Sequence, residues 1–384
     1  MTGIKSSVLP VSISRLLRSF VFTLLAISAP FFLIHEGYSA LQVGIVIAIS
    51  GVSSTIFVYV FPRINIPIRW ILVSLWALLF ISLFFLSVFQ DATIYVISMA
   101  AGGVPLSGKD MSANQALEQY SIGKNAQSQR EKTISYGYYN FLSYGGNTIA
   151  SAILLFYSGI SFRDIFYLSL AVSLLSGIPY LFYRFPEHAG RSTRTKVSPE
   201  TGKLRNELAA LFSLDSFAGG LVNSSMLSLW FLIVYSTNLA DTGFIFVVVN
   251  FLSAVSVLIS GRISTSFGLV RTMVYTHLIS NGFLILMAVF HSLLFSEIML
   301  FARQTTSQMD IPPRDSFINT VIPEKERITT NSQFIAARNT SIIPAPAAGG
   351  GLLEIFPSAI PEVAGGLKTL YDVVFFIRFR RYRT

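Results

Sequence analysis

From Trp70 to Gln90 this 384-residue chain contains no acid or base, over about the 20 residues that an α-helix needs to cross the hydrocarbon core of a bilayer. About twelve apolar runs of this kind follow one another, separated by connectors that carry most of the charge. One run would read as an anchor; this many make lipid the solvent of the fold, because a helix satisfies every backbone polar group internally where water is absent. The expected fold class is an all-α polytopic membrane protein of about 12 transmembrane helices in two six-helix halves. Function is then to be sought in transport, sensing or intramembrane chemistry.

Composition narrows the choice. Charged residues are 12% of the chain, against roughly 25% in soluble domains, which excludes an ordinary cytosolic enzyme. With no cysteine, disulfides, thiolate metal sites and a cysteine nucleophile are all ruled out. His35, His188, His277 and His291 do not stand at metal-ligand spacing, so no metal and no cofactor is expected. No Ser, His and acid set suggests catalysis.

The net charge of +9 is a topological signal. Most of the 28 lysines and arginines, from Arg15, Arg18, Arg63 and Arg69 to the run beginning at Arg378, fall in tails and connectors that an even number of helices places on one side. Only Arg163 and Lys368 are assigned to the other. Short basic loops stay inside, which predicts a multi-pass protein of the cell membrane with both termini cytoplasmic. No nucleic-acid partner is expected, although basic clusters can bind one.

The hydropathy pattern predicts helices over 11–35, 40–62, 68–90, 92–119, 132–158 and 161–184, and again over 205–236, 240–264, 270–291, 293–320, 326–352 and 358–380. The first run resembles a signal peptide, but Pro30 spoils its cleavage region and further spans follow, so it is read as a retained helix. The hydrophilic connector containing Pro199 divides an N-terminal half (1–184) from a C-terminal half (205–384) through a cytoplasmic linker (185–204). The halves resemble each other at an offset of about 197 residues: Lys109-Asp-Met-Ser-Ala-Asn-Gln115 with Gln129-Arg-Glu-Lys-Thr133 corresponds to Ser307-Gln-Met-Asp-Ile-Pro-Pro313 with Lys325-Glu-Arg-Ile-Thr329. Parallel six-helix repeats belong to secondary transporters whose substrate site lies between the halves at mid-membrane depth.

On these grounds, and on one loop, the chain resembles the major facilitator superfamily. Gly261-Arg-Ile-Ser-Thr-Ser-Phe-Gly268, followed by Leu269-Val-Arg271, stands where that family often has a Gly, Asp, Arg, Gly signature; the glycines match, and Thr265 and Ser266 occupy the Asp and Arg positions. The segment from Arg303 to Arg314, with Pro323-Glu-Lys-Glu-Arg327 after it, looks like the helix 10 to helix 11 junction of prokaryotic members. The resemblance implies a transporter with Gly261, Gly268, Arg271, Arg314 and Arg327 as cytoplasmic gate candidates.

Ionisable side chains inside apolar runs are costly and mark function. In helix 10, Arg303, Ser307, Asp310 and Arg314 are spaced to form one stripe, with Gln304 and Gln308 beside it. Such a face suits Arg303 as an anion or carbonyl ligand and Asp310 as its partner or a protonatable carboxylate. Alternatively, Asp310 and Arg314 clasp the cytoplasmic end while Pro312 and Pro313 end the helix. Helix 7 offers Asp215, Gly219 and Asn223, for proton coupling or for pairing with a loop arginine. Helix 4 offers Asp110, Asn114 and Glu118 on one face. In helix 11, Arg338 falls near mid-depth, where an acid or a carbonyl array is expected opposite it.

The expected function is secondary active transport of a small molecule by alternating access, coupled to protons, with efflux as one direction the layout allows. Asp215 and Asp310 are the leading carboxylates, and Arg303 and Arg338 the fixed charges. The partners are the substrate, the bilayer and protons. An uncoupled facilitator of the same fold and a ligand-binding receptor that carries nothing across are the alternatives.

Overall fold

The computed structural model describes residues 8–108, 112–157, 159–187 and 197–380, and among them regular structure is entirely helical. In chain order the α-helices are α1 (Leu9–His35), α2 (Ala40–Val60), α3 (Ile68–Phe89), α4 (Ala92–Ala101), α5 (Ala113–Asn125), α6 (Gln129–Phe156), α7 (Phe162–Gly177) and α8 (Pro199–Leu221). They continue as α9 (Ser224–Tyr235), α10 (Leu239–Phe267), α11 (Leu269–Val289), α12 (Leu293–Thr306), α13 (Ile311–Val321), α14 (Glu324–Ile342), α15 (Ala345–Ile355) and α16 (Ala359–Phe379).

Four of the expected helices are broken, each for a local reason. Between α4 and α5, Gly103 and Gly108 adopt φ of +60° and +75°, a region that favours glycine and ends a helix. Asn223 stops α8 from running into α9 by accepting a hydrogen bond from the Met226 amide at 3.0 Å, capping the new helix. Pro312 and Pro313 follow the turn after α12; lacking N–H groups they cannot continue its bonding ladder, but they are tolerated in the first turn of α13. The prolines therefore start a helix where they were expected to end one. Pro344 and Pro346 separate α15 from α14 in the same way. With each broken pair taken as one span, the helices make twelve segments, six ending by residue 181 and six beginning at Pro199. Six of the described helices are long and apolar enough to cross a membrane unbroken.

The chain divides into two compact units: Met1–Gly190 with Asn223–Val247, and Arg191–Val222 with Val248–Thr384. In the first, α1 packs against α6, α7 and α9. Gly146 permits the α1–α6 approach, because a Cβ there would overlap the Leu16 carbonyl oxygen, whereas the neighbouring Gly145 faces open space. In the second unit, α11 packs against α16 and α12, and α8 against α14 and α16. An aromatic core of Phe212, Phe317, Phe375 and Phe379 holds that unit together.

Candidate functional site

The second unit carries a continuous buried charge network on α8, α11, α13 and α16. Asp215, in the last third of α8, is only 6% exposed. Lys368 Nζ donates to its Oδ1 at 2.6 Å. His277 Nε2 lies 3.8 Å from the same oxygen, and Arg314 Nη1 3.8 Å from Oδ2. The same Arg314 nitrogen donates to Asp310 Oδ2 at 2.9 Å, so one guanidinium links two carboxylates. His277 Nδ1 is 3.0 Å from Asp372, whose Oδ2 accepts from Asn281 Nδ2 at 2.7 Å. Removing so many charges from water costs several kcal/mol each unless they compensate one another, which the alternation of acids and bases here achieves.

Lys368 was expected near the outer surface. The structure places it in the body of α16, buried against Asp215. Its flanking residues, Gly-Gly-Leu and Thr-Leu-Tyr, gave no indication of an acid 153 positions away along the chain.

The expected stripe on helix 10 is interrupted by the break between α12 and α13. Arg303 and Gln304 lie in the last turn of α12, with Ser307 and Gln308 in the turn that follows. Arg303 is 8% exposed. Its Nη1 donates to Gln304 Oε1 at 3.3 Å; among the described residues its Nε has no hydrogen-bond partner and no carboxylate lies within 4 Å of it. Ser307 Oγ donates to Gln304 Oε1, and Gln308 Nε2 donates to Ser307 Oγ at 3.2 Å. Asp310 thus pairs with Arg314 rather than with Arg303.

Arg338, on α14, was expected to face an acid or a carbonyl array. Its Nε donates to the Ser216 hydroxyl at 3.2 Å, one residue from Asp215. A cavity of about 310 Å³ beside it is lined by Arg314, Asp315, Asn319, Asn331 and Arg338 together with apolar side chains.

The remaining sequence candidates are dispersed. Asn223 is the α9 cap. Arg327 Nε donates to the Ile322 carbonyl at 2.9 Å. Gly268, at φ +82°, is the N-cap of α11, with Arg271 exposed in its first turn. Gly261 lies within α10. Asp110 lies outside the described residues.

A second buried cluster occupies the first unit, and sequence reasoning missed its main cation. Arg18, read as a cytoplasmic-side charge, lies inside α1 at 2% exposure. It grips Glu118, which is 0% exposed, through Nη2–Oε2 at 2.6 Å and Nη1–Oε1 at 2.9 Å. Tyr139 and Tyr180 donate their hydroxyls to the two oxygens of Glu118 at 2.5 and 2.6 Å. Asn114 Nδ2 donates to the Tyr180 oxygen at 3.3 Å. The pseudo-repeat held a signal for this pair: an offset of about 197 residues sets Arg18 against Asp215 and Glu118 against Arg314 or Asp315, an ion pair with inverted polarity in each half.

The two clusters differ in kind. Around Glu118 every carboxylate oxygen has ideal donors, so the group is a static clasp. Around Asp215 three bases converge on one acid, while among the described residues Arg303 and Arg338 have no carboxylate within 4 Å.

Membrane-spanning helices with buried, mutually compensated charges define a multi-pass membrane protein of the transporter class. The model of the Major Facilitator Superfamily matches residues 11–346, and the chain belongs to that family. Solved structures with the same fold include the human organic anion transporter MFSD10, at 13% identity and TM-score 0.70, covering 96% of this chain and 98% of that one. The nucleoside transporter NupG matches at 12% identity and TM-score 0.75, over 98% and 100% of the two chains. A bacterial homologue of the human lysosomal transporter Spinster, in an inward-facing and unoccupied conformation, matches at 15% identity and TM-score 0.66, over 98% and 96%. No curated protein matches this chain.

Proposed function

We propose that the chain is a secondary active transporter of the cell membrane, with both termini cytoplasmic, that moves a small molecule by alternating access coupled to protons. The observation that carries this reading is Asp215, a buried carboxylate held by Lys368 at 2.6 Å with His277 and Arg314 each 3.8 Å away. An acid shared among three bases is the hinge of a two-state element: when a conformational change carries Lys368 and Arg314 to other partners, Asp215 can take a proton, and their return displaces it. Asp310 is the second carboxylate of the cycle, because losing its charge releases Arg314 from the other end. Confinement of most basic residues to one set of connectors supports the orientation.

The test is proteoliposomes containing an internal pH-sensitive dye, challenged with organic anions, organic cations, sugars and amino acids in turn. The expected result is a substrate-dependent proton movement, abolished in Asp215→Asn and Asp310→Asn, whose sign separates efflux by antiport from uptake by symport. Unchanged proton movement in the double variant would remove both carboxylates from the cycle, and transport indifferent to an imposed pH gradient would make the protein an uncoupled facilitator.

A further inference from the structure

The cavity in the second unit, bounded by α8, α13 and α14, has a divided wall. Its apolar part includes Phe212 and Phe334, whose rings meet edge to face at 5.4 Å. Its polar part contains two guanidiniums, those of Arg314 and Arg338. Arg314 binds Asp310 through Nη1, and its buried Nε has no hydrogen-bond partner among the described residues. Among the described residues Arg338 uses only Nε, on the Ser216 hydroxyl, and no carboxylate lies within 4 Å of it. Asp315, on the same wall, forms no ion pair within that distance with either arginine. The buried Oδ1 of Asn331 also has no partner among the described residues.

Arg314 and Arg338 line the same cavity, and each leaves guanidinium N–H groups without a partner among the described residues. Two like charges on one small cavity raise each other's energy, and the repulsion is relieved when an anion sits between them. Guanidinium groups present parallel N–H donors that match the two oxygens of a carboxylate, phosphonate or phosphate. The volume lies at the lower end of the range for small-molecule sites, and the phenylalanines offer an aromatic or aliphatic body a place to pack.

We propose that this cavity binds a small organic anion, with its oxyanion group on Arg314 and Arg338 and its apolar body against Phe212 and Phe334. Naming that anion as the transported cargo rests on the transport reading above; its binding does not. Asp315 limits the site to ligands that place a donor, or nothing, beside that carboxylate.

The experiment is thermal unfolding of the full chain in neutral detergent with phenylphosphonate, inorganic phosphate, benzamide or benzylammonium. Phenylphosphonate is expected to stabilise the protein saturably and more strongly than phosphate, while the neutral and cationic aromatics do not. Arg338→Gln is expected to weaken phenylphosphonate binding at least tenfold, and Arg338→Lys less, since lysine keeps the charge and loses the fork. Asn331→Asp, which sets a further carboxylate on the same wall, is expected to weaken phenylphosphonate binding as well, so the test survives a folding defect in the first variant. Equal binding by Arg338→Gln, no stabilisation by either oxyanion, or stabilisation only by phosphatidylglycerol vesicles would overturn the proposal. Binding without any flux in proteoliposomes would overturn transport and leave the site standing. Flux of another chemical class without oxyanion binding would do the reverse.

Discussion

Lys368 Nζ sits 2.6 Å from Asp215 Oδ1, although the two residues are 153 positions apart in the chain. Both are buried, so neither charge has water to fall back on. Removing one partner of a buried pair typically costs about 3–5 kcal/mol because the other is left uncompensated. Lys368→Met and Asp215→Asn are each expected to lower the melting temperature, and the double variant to lose less than the two single losses combined. Strict additivity in a double-mutant cycle of thermal unfolding would show that the pair is not coupled.

The static character of the first cluster makes a contrasting prediction. Glu118→Gln should destabilise by about 3–5 kcal/mol, since it strands Arg18 in the core of the unit. Tyr139→Phe and Tyr180→Phe each remove one hydrogen bond to a charged oxygen and should cost about 1.5–3 kcal/mol. None of these changes should alter the pH response of transport, which a flux assay on the folded fraction can read.

Arg303 reverses the usual direction. A buried guanidinium without a carboxylate carries an uncompensated desolvation cost, so Arg303→Gln is expected to raise the melting temperature of the empty protein while abolishing transport. A fall in the melting temperature of the empty variant would mean that the positive charge is compensated in the resting protein.

The two adjacent glycines of α6 test helix packing at single-residue resolution. Gly146→Ala drives a methyl into the Leu16 carbonyl and should cost about 1–3 kcal/mol by overpacking. Gly145→Ala faces open space, and should be neutral or slightly stabilising, because alanine is the better helix former. Equal effects at both positions would show that the α1–α6 approach is not set by Gly146.

The sequence by itself determined the solvent, the all-helical class and the twofold layout of the apolar segments, because hydropathy is a local sum and a run of apolar residues has one stable answer in lipid. Trp70 to Gln90 needs no distant neighbour to become a helix, and Pro312, Pro313, Pro344 and Pro346 mark the breaks in α12–α13 and α14–α15 once their missing N–H groups are weighed. Composition also showed that Asp215, Asp310, Arg303 and Arg338 are unusual. What only the tertiary structure decided is which charge answers which. Arg18 looked like a tail cation because apolar runs blur at their ends, yet it reaches Glu118 across 100 residues. Lys368 looked like an outer-surface charge until α16 was laid against α8. Periodicity fixes the face a side chain occupies on its own helix, but pairing depends on the rotation and depth of the opposing helix, and those follow from packing among Phe212, Phe317 and Phe375 rather than from any local pattern.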